Sequence, residues 1–155
     1  MTPAMMKNIG KYITTIACGG ARVTAAGAGD HTAVTGVSID RRGYESVALI
    51  IAYLTTLTAA KTLKFAVEYQ EADDNGAGAP GAWGTATSLQ AATTAETGAQ
   101  TAAVDEIRFN VDLSGKKRWI RFNFTPDLSH TDTDIADCFA VAVLGGAVEV
   151  PTSPA

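Results

Sequence analysis

The residues able to do chemistry are few and scattered along this chain. Nucleophilic catalysis needs a Ser, Cys or Thr beside a base, and the only imidazoles are His31 and His130. Neither lies in a motif. There is no G-x-S-x-G, no glycine loop running into Lys-Ser/Thr, and no dinucleotide fingerprint opening a helix. Zinc asks for Cys and His at close spacing, whereas Cys18, His31, His130 and Cys138 supply one pair from each end of the chain. Glu71, Asp73, Asn75 and Gly76 match the first half of a calcium loop, but Ala82 stands where the closing carboxylate belongs. A second acidic group, Asp127, Asp132, Asp134 and Asp137, would hold calcium if its loop folded back on itself; as turn caps the same residues keep a crossover soluble. These patterns imply no enzyme, no resident metal and no cofactor. Trp83, Trp119 and Tyr44 carry a different chemistry, either an aromatic platform for sugars or a subunit contact.

The elements that must position these residues read as strands. Tyr44 to Leu57 is apolar on both faces and therefore central, and Phe139 to Leu144 has the same character. Thr62 to Ala72 alternates cleanly, with Leu63, Phe65, Val67 and Tyr69 inward and Lys64, Glu68 and Gln70 outward. His31 to Ile39 is Thr/Val-rich and reads as a strand ending at the turn Asp40-Arg41-Arg42-Gly43. Val104 to Leu113 and Arg118 to Thr125, separated by Ser114-Gly115-Lys116-Lys117, read as a hairpin closed by Pro126, with Trp119 opposite Ile120, Phe122 and Phe124. Asp73 to Gly81 is a long exposed hairpin tip, and Trp83 anchors the strand that returns from it. Ala86 to Ala103, nearly all Ala, Thr, Gly and Gln, is either a loop or a segment ordered by a partner. Met5 to Ala17 fits helix or strand, and Cys18 to Asp30 reads as loop or frayed strand.

The expected fold is all-β, an antiparallel β-sandwich or jelly roll with long loops and an extended C-terminal tail. Residues 1–30 form an N-terminal arm or frayed strand, 31–146 the sandwich domain and 147–155 the tail, whose Val148, Val150 and Pro151 suit an arm laid on a neighbouring chain. Charged residues make up only 18% and the net charge is -4, which speaks against nucleic acid as a partner. Lys116, Lys117 and Arg118, the sole basic cluster, read as a solvated turn. Neither a signal peptide nor a membrane span fits, so a cytoplasmic origin with two buried thiols, Cys18 and Cys138, is expected.

Three runs carry a resemblance: Ile39-Asp40-Arg41-Arg42-Gly43-Tyr44-Glu45-Ser46, then Leu63-Lys64-Phe65-Ala66-Val67-Glu68-Tyr69-Gln70-Glu71-Ala72, then Asp112-Leu113-Ser114-Gly115-Lys116-Lys117-Arg118-Trp119-Ile120-Arg121-Phe122. Over roughly Ile39 to Gly146 the chain resembles the small capsid decoration, or cement, proteins of tailed bacteriophages. The resemblance implies a sandwich or jelly roll made in the host cytoplasm and carried on the outside of the virion. Its partners would be the major capsid protein and further copies of itself, as a homodimer or homotrimer, with no nucleic acid, no membrane and no active site. The competing reading is a carbohydrate- or host-binding module of a head or tail fibre, working through Trp83 or Trp119.

Overall fold

The computed structural model describes residues 12–24, 30–98, 102–130 and 133–147. Among the described residues ten strands form: β1 (Thr14–Thr24), β2 (Val34–Thr35), β3 (Ile39–Asp40), β4 (Ser46–Thr56), β5 (Thr62–Asp74), β6 (Pro80–Trp83), β7 (Thr87–Thr97), β8 (Ala102–Asp112), β9 (Trp119–Leu128) and β10 (Ile135–Gly145). They make two antiparallel sheets. The four-stranded sheet has the order β1-β10-β4-β8. In the six-stranded sheet β9 and β5 are central, with β2 and β3 along the free side of β9 and β6 and β7 along the free side of β5. The expected antiparallel sandwich is therefore the fold.

Strict alternation fills the space between the sheets. Val47, Leu49, Ile51 and Tyr53 of β4 point inward from one sheet, and Leu63, Phe65, Val67 of β5 and Ile120, Phe122, Phe124 of β9 from the other, all buried in one cluster. Up to Leu144 the inner row of β10 is small (Ala136, Cys138, Ala140, Ala142), which leaves volume for the three phenylalanines of the facing sheet. Tyr53 and Phe65 meet with ring centroids 5.7 Å apart, and Phe65 meets Phe124 at 6.3 Å. The Tyr53 hydroxyl donates to the Ala95 carbonyl at 3.1 Å and so ties β7 to the opposite sheet.

Several sequence expectations are corrected. The apparent hairpin at 104–125 is not one, because β8 pairs with β4 and β9 with β5. Its turn carries the chain from one sheet to the other, and both strands keep an apolar inner row because they line the same core from opposite sides. Within Ala86 to Ala103, Thr87–Thr97 is not a loop; as β7 it lies along β5, with three register shifts. Its residues are too small to display alternation, yet Leu89 and Ala95 reach the core. The strand expected over 31–39 breaks into β2 and β3 around Gly36. Cys18 to Thr24 belongs to β1, paired along β10 with a bulge between Ala17 and Gly19.

Pro126 does not end its strand: β9 continues to Leu128. The Pro126 carbonyl accepts from the His31 amide at 3.1 Å, on the flank where β2 no longer runs. Since N and C=O of a strand residue face the same side, the missing proline N–H costs no ladder bond there.

Candidate functional site

The outer face of the four-stranded sheet is an apolar surface that the described residues leave uncovered. It follows directly from the two strands that are apolar on both sides. The register aligns Val143 with Ala48, Val141 with Ile50 and Phe139 with Ala52 across β10 and β4, and Leu54 with Val104 across β4 and β8. No element of the described chain packs over them. Val104 is 79% exposed, Phe139 50% and Leu54 44%. Gly20 of β1 lies beside Phe139, and a Cβ there would meet the ring at 3.3 Å, so the glycine gives the phenyl group its room. A shallow depression of about 510 Å³ opens among Gly20, Ala52, Leu54, Val104 and Phe139. Ion pairs mark the two margins, Arg22 with Asp137 (3.7 Å) on the β1 side and Arg108 with Glu106 on β8. A contiguous exposed apolar strip rimmed by charge is the signature of a protein contact. Its signal was present in the sequence as two doubly apolar strands, read there only as evidence of centrality.

Of the three aromatic candidates, the structure brings two together. Ala72 pairs with Trp119 on one side and Trp83 on the other, so the three stand in a row on the outer face of the six-stranded sheet. Ala72 is fully buried between the rings' strands. Arg121 lies 4.4 Å from the Trp83 ring centroid and Arg118 5.1 Å from that of Trp119, so each ring carries a guanidinium on one face. Gln70 orients Arg121 by accepting from its Nε at 2.9 Å. The Trp119 indole N–H donates to Asp74 at 3.1 Å and holds that carboxyl below the ordinary range. Burial would raise Asp40, but hydrogen bonds from Arg118 and Arg42 outweigh it and hold Asp40 low as well. Tyr44 stands apart: its hydroxyl is 2.6 Å from that of Thr14, and its ring packs on the core. Val148, Val150 and Pro151 lie outside the described residues.

The charged groups around the turn before β9 are spent on structure. Lys116 pairs with Glu71 at 3.3 Å, Lys117 with Asp73 at 2.6 Å, and Arg118 with Asp40 and Asp74, so the one basic cluster is neutralised by the ends of β3 and β5. The acids at 127–137 diverge. Asp137 pairs with Arg22, and Asp127 lies 3.1 Å from the His31 imidazole. Asp134 is buried and accepts from both the amide and the hydroxyl of Thr58 at 2.7 Å, fixing the turn between β4 and β5. Asp132 lies outside the described residues. No local pattern signals the grouping of Asp30, His31 and Asp127, which folding assembles from distant positions. One oxygen of Asp30 already accepts the Leu128 amide at 3.0 Å. Cys18 and Cys138 are both buried free thiols; burial pushes them up to about 11 and about 12, which leaves them protonated and unreactive at neutral pH.

No protein-family model matches this chain, and no curated protein matches it either. Solved viral structures do resemble it. A chain in the structure of infectious bursal disease virus Gx strain superposes with a TM-score of 0.51 at 13% identity, over 89% of this chain and 34% of that one. A mutant VP2 protein of infectious bursal disease virus, in derived T=1 particles, gives 0.50 at 12% identity, over 90% and 32%. The chain thus spans about a third of the length of each. At such identities the likeness is one of fold: this is a viral-capsid-like, jelly-roll-type antiparallel sandwich.

Proposed function

We propose that this chain is a structural protein of a phage head, a decoration protein that binds the outer surface of the capsid where major capsid proteins meet and stabilises the shell. The observation that carries the reading is the capsid-like jelly-roll fold, whose core is complete while one sheet face stays open to another protein chain, of the shell or a second copy. Such a protein has finished folding and still exposes an apolar surface of the kind that protein contacts cover. The capsid-like fold and the resemblance of the 39–46, 63–72 and 112–122 runs to decoration proteins supply the class of partner.

The work is mechanical. Each copy bridges neighbouring capsid subunits, and repetition over the lattice converts modest contacts into resistance of the whole shell. Residues 147–155, with Val148, Val150 and Pro151, are proposed as an arm onto a neighbouring subunit. The test is to add the purified chain to expanded shells that lack it. Saturable binding to shells with a raised shell melting temperature is expected, and absence of binding to intact shells sinks the proposal. Deleting residues 147–155 should lower occupancy; unchanged occupancy rejects the arm.

A further inference from the structure

We infer that the outer face of the four-stranded sheet is an interface between two copies of this chain, packed sheet on sheet about a two-fold axis. The inference rests on the reading above only in taking the face to be covered by protein, and it goes further by naming that protein.

Three observations select a second copy. The first is size. Four strands of 11 residues present a face of roughly 700 Å² from strand spacing and rise, close to the ~800 Å² that each partner contributes to a standard interface. The second is shape. A broad sheet face is matched by another sheet face, with side chains of the two interleaving at a separation of about 10 Å, and Phe139 beside Gly20 supplies both a projection and a depression for such interleaving. The third is charge. The margins carry both signs, Arg22 with Asp137 on the β1 side and Glu106, Arg108 and Asp112 on the β8 side. A two-fold axis running along the strands lays the β1 margin of one copy over the β8 margin of the other. Arg22 then lies level with Val104 of the second copy, two residues or about 7 Å along the strand from its Glu106, within reach of a long side chain of opposite charge.

Association through the face rather than the edge follows from β8. Among the described residues this outer strand pairs only with β4, and Asp105, Glu106 and Arg108 along it oppose the addition of a further strand. The apolar residues look outward from the sheet, perpendicular to that edge.

The experiment is sedimentation velocity on the full chain between about 1 and 100 µM, a range that brackets ordinary dimer affinities. A species of twice the 16.0 kDa chain mass is expected. Phe139→Lys and, separately, Val104→Glu should each weaken it by at least about tenfold. Both positions lie outside the core, and Val104 is so exposed that its replacement leaves folding intact, to be checked by circular dichroism. Arg121→Ala, on the opposite surface, should leave the dimer unchanged. A chain that stays monomeric throughout, or a dimer indifferent to both substitutions, overturns the inference. So does a monomer whose binding to shells is abolished by Phe139→Lys, which assigns the face to the shell protein. A dimer that fails to bind shells leaves this interface standing and removes the decoration reading instead.

Discussion

Gly36 shows how little freedom single residues have where β2 meets β9. A Cβ at this position would lie 2.2 Å from the Phe122 carbonyl oxygen, the same atom that accepts the Gly36 amide at 2.9 Å. Gly36→Ala must push β2 away from β9, and a loss of about 1–3 kcal/mol is expected, read as a lower urea midpoint; an unchanged midpoint would mean that the approach is slack. The thiols give a pH dependence. Cys18 and Cys138 are raised by burial from the ordinary 9.0, to about 11 and about 12. A group that binds its proton more tightly when folded contributes fully below its unfolded value, and that contribution is lost as pH climbs through the folded values. Stability should therefore decline from about pH 9 upward, and a thiol reagent at pH 8 should label either cysteine only on unfolding. Rapid labelling of the native chain would contradict this. Buried thiols were legible from residue type and context. The role of Asp134 was not, because its partner Thr58 lies far away in sequence and no local pattern joins them.

Strands were legible wherever bulky side chains kept the period of two, and illegible where they did not. β4 and β5 lie close to where alternation puts them. β7 is invisible to that test, since Ala and Thr dominate it and three register shifts break the phase. Its ladder is mended in part by a side chain: the Gln90 amide donates to the Phe65 carbonyl at 3.1 Å. An outer strand with interrupted pairing opens more readily than a central one. Amides of 87–97 are expected to exchange with deuterium well before those of β9 and β10, and equal protection would show that the bulged ladder holds as firmly as the regular ones. The misread hairpin has a physical cause of another kind. Alternation reports that a strand has an inner face, and Leu113 and Ile120 both do. It cannot report which sheet supplies the neighbour, because the turn residues Ser114 and Gly115 serve a hairpin and a sheet-to-sheet crossing equally well.

At the scale of the molecule, the resemblance pointed to association, while the surface proposed for it became identifiable only once register placed Phe139, Leu54 and Val104 on one outward face. If two copies share that face, unfolding is linked to dissociation, and the melting temperature should rise with protein concentration. Phe139→Lys should abolish the rise while leaving the dilute melting temperature nearly unchanged, and a concentration-independent wild type would argue for a self-sufficient monomer. The strand order β1-β10-β4-β8 has a consequence for how the chain is made. β10 lies between β1 and β4, so the earliest and the middle parts of its sheet are joined only by the last of the ten strands. Every member of the other sheet has left the ribosome by Leu128. A nascent chain arrested before Ile135 therefore holds one sheet able to form, with Phe65, Phe122 and Phe124 facing water, and β1 and β4 with no strand between them. Until Ile135–Gly145 emerges and slots between them, the growing protein is a natural client for a chaperone.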